Sequence, residues 1–353
     1  MKMLSVHNAF KLNGFSFKNK VELLTYVSRN TINGEVFLKS WFDENDSIIV
    51  QTSGSTGTPK EINIQKQFML NSAKSTGVYF DLIAGTTALL CMSSDFIAGK
   101  MMWVRALSLG WELDVVSISS NPLNETEKNY DFAAMVPLQV FNSINQLNSV
   151  KTLIVGGGVV SKELKSFLCD LSTQVYATYG MTETVTHIAV KKLNHIQDNT
   201  VEYYNTLPSV KITKDTRGCL VIDAPLVSNK KIITNDLVKL TSDNMFEWLG
   251  RYDTIINSGG IKLIPEKIEN KISKIISNSF FMAGLKDAYL GEKLVLIVEG
   301  QGETIDTNNK IKIYLKNIPL KPYEVPKEIY FVGNFERTDT GKIKRTVILS
   351  KIN

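Results

Sequence analysis

The residues best equipped for chemistry stand close together in Thr52-Ser53-Gly54-Ser55-Thr56-Gly57-Thr58-Pro59-Lys60, directly after the β-branched run SIIVQ. Glycines let a backbone approach an anion closely, and N–H groups with hydroxyls and a lysine can cradle phosphates. The segment is neither a Walker A loop nor a GxGxxG turn. Pro59 and Glu61 flank Lys60 where the P-loop places Gly and Ser/Thr. The same composition also suits a plain polar turn.

TSGSTGTPK resembles the phosphate loop of the acyl-adenylate-forming superfamily: acyl-CoA synthetases, peptide-synthetase adenylation domains and luciferases. Four further segments resemble that family's motifs, in its order. In Tyr179-Gly180-Met181-Thr182-Glu183, the resemblance implies a ring against adenine (Tyr179), an α-phosphate contact (Thr182) and an Mg²⁺ ligand (Glu183). A carboxylate suits a hard cation. In Thr234-Asn235-Asp236-Leu237 it implies a ribose-binding Asp236. Asn235 replaces the usual glycine, which suggests an altered turn.

Gly250-Arg251-Tyr252-Asp253 and Gly259-Gly260 resemble the family's hinge and glycine loop. Arg251 would touch ribose, Asp253 would be the pivot, and Gly259 and Gly260 would border the thiol channel. Asn257 and Ile261-Lys262 depart from the usual residues there. Arg337-Thr338-Asp339-Thr340-Gly341-Lys342-Ile343-Lys344-Arg345 resembles the C-terminal signature, with Lys342 as the lysine gripping the acyl carboxylate and α-phosphate. A positive charge there stabilises charge developing at phosphorus. Taken singly, these segments also read as turns, a surface ion pair and a solvated basic face.

The resemblance implies ATP, Mg²⁺ and CoA as cofactor and cosubstrates, and an acid–thiol ligase activity. Its acyl pocket would be bordered by Gly156-Gly157-Gly158, Met181 and the 95–105 segment, where Ser94-Asp95-Phe96 replaces the usual aromatic–His pair. Lys100 and Arg105 in GKMMWVRAL suggest a second carboxylate on the acid, and the same two residues also suit a helix's wet face. His187 could face the substrate or simply be packed. The whole chain most resembles the short o-succinylbenzoate:CoA ligases of menaquinone biosynthesis, whose substrate is an aryl ring bearing two carboxyl groups. Alternatives are loading of another acid onto CoA or a carrier protein, and a non-catalytic nucleotide-binding protein. Family members generally have a much longer region before the phosphate loop, so the acyl site is expected to be open or covered by a second copy in a homodimer.

The elements that must position these residues follow from periodicity. TALLCM, FAAMV, KTLIVGGG and VYATYG read as buried strands, alternating with helical patterns over 66–80, 99–109, 137–147 and 161–171. That alternation argues for an α/β layered domain with a largely parallel sheet. Beyond about residue 200, short strands separated by turns suggest a β-rich subdomain. A boundary is expected at 252/253, giving an N-terminal domain over 1–252, shortened relative to the family, and a small mobile α+β domain over 253–353. In the latter, IPEKIENKISKIIS has an apolar face at helical spacing, with Pro265 in its first turn. A strand over 293–299, a helix over 308–317 and a strand over 328–333 follow.

The 353 residues, 43% hydrophobic, suffice for two domains. Net charge of +5 favours anionic ligands weakly, and no zinc spacing or arginine-rich tract points to nucleic acid. Three scattered cysteines fit a reducing compartment. No stretch approaches the ~18 apolar residues of a membrane helix, and the N-terminus lacks a secretory pattern. Cytoplasmic localisation without membrane insertion is the expectation.

Overall fold

The structure is a computed structural model. It describes residues 4–51, 61–196, 202–273, 275–276, 278–301, 311, 313–338 and 341–352. The candidate phosphate-loop residues Thr52, Ser53, Gly54, Ser55, Thr56, Gly57 and Lys60 lie outside the described residues, as do Asp339 and Thr340. The expected 308–317 helix is described only in part, with 313–316 helical.

In chain order the N-terminal part holds β1 (Lys11–Leu12), β2 (Phe15–Ser16), α1 (Lys20–Arg29), α2 (Glu35–Trp41), β3 (Ser47–Gln51) and β4 (Glu61–Gln65). Next come α3 (Lys66–Phe80), β5 (Thr87–Leu90), α4 (Ile97–Leu109), β6 (Glu112–Val115), β7 (Tyr130–Met135) and α5 (Pro137–Asn142). Then follow β8 (Val150–Val155), α6 (Lys162–Leu168), β9 (Gln174–Gly180) and β10 (His187–Lys192). Strands β11 (Tyr204–Thr206), β12 (Lys211–Lys214), β13 (Cys219–Asp223), β14 (Ile232–Leu240) and β15 (Met245–Arg251) complete it.

β5, β6, β7, β8 and β9 pair in parallel, with near-continuous buried runs such as those of β7 and β8, as a sheet covered on both faces requires. Two features of the pairing go beyond what the sequence expectation specified. β3 and β4 form a separate antiparallel hairpin, with Gln51 opposite Glu61, so the candidate phosphate loop springs from a hairpin and not from the parallel sheet. The β-rich segment is not a detached unit either. β10 pairs antiparallel with β9, and β11 and β15 extend the ladder, so thirteen strands form one sheet. The 137–147 pattern also divides, into α5 and a 3₁₀ segment, Ile144–Ser149.

Helix α4 is buried from Gly99 to Leu107, including Lys100 and Arg105, and has no solvated face there. A wet-face origin for those two cations is thereby excluded. Tyr79, Phe80, Phe132, Trp111 and Tyr176 form a chain of ring contacts in the principal core.

After Arg251 a single 3₁₀ turn, Tyr252–Thr254, carries the chain into a second sheet. That sheet holds β16 (Ile256–Ser258), β17 (Ile261–Leu263), β18 (Phe280–Asp287), β19 (Gly291–Glu299) and β20 (Glu328–Val332), with α7 (Pro265–Ile272) packed on it. Pro265 occupies the first turn of α7, and Ile268, Ile272 and Ile276 bury its apolar face. β18 was not expected from the sequence. It lies beside β19, the strand that also pairs with β16 and β20, and is matched to it along its full length.

Candidate functional site

Parallel sheets bind ligands beyond the carboxyl ends of their strands, where helix and loop directions diverge. The ends of β5, β8 and β9 deliver Ser93–Phe96, Gly156–Gly158 and Met181–Glu183 to that edge. The glycines there are closely packed. A Cβ on Gly156 would lie 2.6 Å from Thr178 Oγ1, and one on Gly158 would lie 3.4 Å from Pro137. Glu183 sits in a 3₁₀ turn, Thr182–Thr184, with its side chain exposed. Val185 then takes φ 68°, a costly conformation for a β-branched residue, and reverses the chain so that His187 opens β10 opposite Gly180.

On the acyl side, Arg105 is 2% exposed and His187 is 5% exposed. Arg105 Nη1 reaches only Met102 Sδ, at 3.6 Å, while Nε and Nη2 meet no protein acceptor among the described residues. His187 Nε2 is likewise unpartnered, and its Nδ1 stands 3.4 Å from Thr186 Oγ1. Burial pushes the Arg105 guanidinium down to about 10. Burial, then the nearby Arg105 charge, hold the His187 imidazole well below its ordinary value, so it is neutral at pH 7. A buried cation beside a neutral imidazole, both with free hydrogen-bonding positions, fits an incoming carboxylate. Lys100, unlike them, has a protein partner: its Nζ donates to the Asp95 carbonyl, and burial lowers its pKa.

At the ends of β9, β14 and β15 the polar side chains Tyr179, Asp236, Trp248, Arg251 and Asp253 are all paired. Tyr179 Oη donates to Asp236 Oδ2 at 2.6 Å, and Trp248 Nε1 donates to Asp236 Oδ1 at 3.0 Å. Asp236 pairs with Arg251 across β14 and β15, and Arg251 Nη1 lies 3.7 Å from Asp236 Oδ1. Arg251 also forks onto Asp253, with contacts of 2.9 and 2.8 Å, and this ion pair holds the Asp253 carboxyl below its usual range. Tyr179 lies against Tyr204 and Phe246. Burial, then the neighbouring Asp236 charge, push its phenol pKa far up.

Asn235 lies within β14 at a register shift, where the stretch from Ile233 to Leu237 faces only Val221 to Cys219 of β13, so the departure from glycine coincides with an irregular strand; its Oδ1 accepts from Arg217 Nη1 at 2.9 Å. Trp248 and Arg217 were not foreseen. Their pairing depends on strand register, which local sequence does not encode.

Lys342 arrives from the second sheet's body. Its ammonium pKa is lowered, first by burial and then by the Arg251 charge, although the side chain remains solvent-accessible. Those facts agree if Lys342 occupies a wet cleft facing Arg251. Its loop is closed by Thr338 N–H donating to the Lys342 carbonyl at 2.8 Å and by the Arg337–Ile343 bridge. Arg345 Nη1 and Nη2 each reach Glu269 at 3.0 Å. Gly259 and Gly260, at φ 57° and 79°, form the two-residue turn between β16 and β17.

Residues 17–223 match the family model described as AMP-binding enzyme, and the chain belongs to that family. It is 23% identical over 323 residues to a 2-succinylbenzoate–CoA ligase of Lactococcus lactis, covering 86% of this chain and 70% of that protein. A solved acyl-CoA synthetase (AMP-forming)/AMP-acid ligase II-like protein from Dyadobacter fermentans is 36% identical, with a TM-score of 0.59, covering 91% of this chain and 93% of that one. An o-succinylbenzoate CoA synthetase from Bacillus subtilis, solved with the acyl-adenylate intermediate OSB-AMP, shares the fold at 19% identity and a TM-score of 0.73. That match covers 85% of this chain and 68% of the synthetase. Among the described residues no helix is long and apolar enough to cross a membrane.

Proposed function

We propose that this family member is an ATP-dependent acid:CoA ligase acting on an aryl dicarboxylate, with o-succinylbenzoate as the leading substrate. The observation that carries the reading is the joined set Tyr179, Asp236 and Arg251 at the ends of β9, β14 and β15, with the exposed Glu183 in the turn after β9. In the first step a carboxylate oxygen of the acid attacks the α-phosphorus of ATP, pyrophosphate leaves and acyl-AMP remains. Tyr179 packs adenine, and Asp236 and Arg251 hold ribose after exchanging their mutual contacts for its hydroxyls. Thr182 touches the α-phosphate, while Lys342 stabilises the attacking and transferring oxygens. Thr52, Ser53, Gly54, Ser55, Thr56, Gly57 and Lys60 would hold the outer phosphates. Glu183 is exposed and has no protein partner among the described residues, so its carboxylate would hold Mg²⁺, and the ion would supply charge neutralisation of the phosphates.

In the second step CoA thiolate attacks the acyl carbonyl and AMP leaves. We place the domain boundary at 252/253, with Asp253 as pivot and Gly259-Gly260 bordering the thiol path after rotation. The acid's second carboxylate meets Arg105, with His187 beside it, against Met181 and the wall of Gly156, Gly157 and Gly158. Lys100, with one N–H on the Asp95 carbonyl and two donors remaining, borders the same pocket. A homodimer is proposed as well, and sedimentation velocity at working concentration tests it.

The deciding experiment is a panel of acids assayed for ATP–pyrophosphate exchange and for CoA-dependent AMP release. o-Succinylbenzoate should drive both. Exchange without CoA-dependent AMP release would favour a carrier-protein acceptor, and no exchange with any acid would leave a nucleotide-binding protein.

A further inference from the structure

Arg105 raises a question of aim. A guanidinium normally keeps its direction through the acceptors it grips, yet this one has a single weak contact, to Met102 Sδ. Its direction must therefore come from the rotational setting of α4. Successive helical residues turn by about 100°, so residues two apart project to nearly opposite sides. The side opposite Arg105 carries Trp103, which is fully buried.

Trp103 is pinned from a distant part of the chain. Its Nε1 donates to the Asn33 carbonyl at 3.2 Å and to Ser94 Oγ at 3.1 Å. Asn33 does more with its side chain. Nδ2 donates to the Met92 carbonyl at 2.8 Å, and Oδ1 accepts from the Ser94 N–H at 3.0 Å. One amide thus satisfies a donor and an acceptor of the turn leaving β5, much as a neighbouring strand would. Gly34 completes the contact. Its φ is +125°, and an added Cβ would stand 2.3 Å from Trp103 Nε1. The turn is also joined to α4 by Lys100 Nζ on the Asp95 carbonyl, and a Cβ on Gly99 would stand 2.2 Å from the Ser93 carbonyl oxygen.

We propose that Asn33 is a positioning residue of the acyl site: through the 92–94 turn and Trp103 it fixes the rotation of α4 and so sets where Arg105 meets the acid's second carboxylate. This rests on the dicarboxylate reading for its catalytic consequence, but not for its structural one. The residues joined come from the α1–α2 connection, the end of β5 and α4, three segments that local sequence does not relate.

The test compares the unsubstituted enzyme with Asn33→Ala, Ser94→Ala and Trp103→Phe, using o-succinylbenzoate and its monocarboxylate analogues benzoylpropionate and butyrylbenzoate. Displacing a positioned group by a fraction of an ångström costs about tenfold or more. Asn33→Ala should therefore raise KM for the diacid about tenfold and narrow its kcat/KM advantage over the analogues, with KM for ATP within about twofold. Ser94→Ala should do the same more weakly, and it keeps every backbone contact should Asn33→Ala fold poorly. The double variant Asn33→Ala/Trp103→Phe should be no worse than the poorer single one, because both act through the same turn. A fall in Tm with the diacid preference unchanged would overturn the proposal. Hydrogen exchange of 92–109 in the substrate-free protein is an independent readout. Faster exchange in Asn33→Ala supports the clamp, and unchanged protection refutes it. If the unsubstituted enzyme activates no acid, the functional reading fails and the exchange result alone decides the clamp.

Discussion

The two halves of the cleft treat charge in opposite ways. On the nucleotide side, Asp236, Arg251, Asp253 and Tyr179 pair with one another, and Trp248 completes the set. On the acyl side, Arg105 and His187 are more deeply buried and keep free hydrogen-bonding positions. A paired network holds its shape before any ligand arrives, and its contacts are exchanged for ligand contacts. A buried, uncompensated cation costs stability until an anion joins it. One side is organised by itself, the other by what it binds.

Four substitutions sharpen or break this contrast. Lys342→Ala removes the charge proposed to move, without disturbing either side. Acid-dependent ATP–pyrophosphate exchange should fall about 10²–10³-fold, the scale of losing one transition-state donor. Thioester formation from supplied acyl-AMP should stay within a few-fold, and equal loss of both steps would contradict the division of labour.

Arg105→Met should lower kcat/KM for a diacid about 10²-fold, from the ~2–5 kcal/mol lost when one partner of a buried charge pair is truncated. The substrate-free protein should meanwhile become more stable, by about 1–4 kcal/mol, as an unpaired cation gives way to a hydrophobe. Denaturant unfolding and steady-state kinetics measure the two effects. A loss of stability would erase the distinction between the sides.

Asp236→Asn should behave in the reverse manner. It leaves Tyr179, Trp248 and Arg251 poorly matched and so should lower stability. KM for ATP should rise about 10–100-fold, from the ~1.5–3 kcal/mol of hydrogen bonds to a charged group, with KM for the acid little changed.

The smallest effect concerns pH. The folded pKa of His187 lies below its unfolded value of about 6.5. Above that value both states are neutral and the native state loses nothing. As pH falls below it, the unfolded chain takes up the proton first and stability declines until the folded pKa is passed. His187→Gln should make this acid limb shallower in a Tm-against-pH series. An unchanged limb would mean that other groups set it.

Much of this was legible in the sequence because the motifs are local. Tyr179 and Glu183 share one strand end, and the alternation of apolar runs with helical patterns announced the parallel strands β5, β7, β8 and β9. Pro265 and the isoleucine spacing marked α7. Pairing across long separations was not legible. Trp248 reaching Asp236, Asn33 reaching Met92 and Ser94, and β10 joining two sets of strands into one sheet all depend on register and packing. β18 escaped because Gly284 interrupts FFMAGLKD, weakening its strand pattern, while pairing with β19 overrides that local weakness. Lys100 misled for a related reason. A lysine in a helical pattern reads as solvated, but here the surrounding elements enclose it and a backbone carbonyl takes its ammonium.

The fork from Arg345 to Glu269 has a mechanical meaning. Glu269 also accepts the Met282 N–H of β18 at 2.8 Å, and the Arg345 guanidinium lies 5.3 Å from the Phe281 ring centroid. The segment bearing Lys342 is thus tied to the sheet beneath it. If the proposed rotation about Asp253 brings that lysine to the cleft, the contacts at Arg345 make the C-terminal body travel with it, and the rate of its arrival should track solvent viscosity.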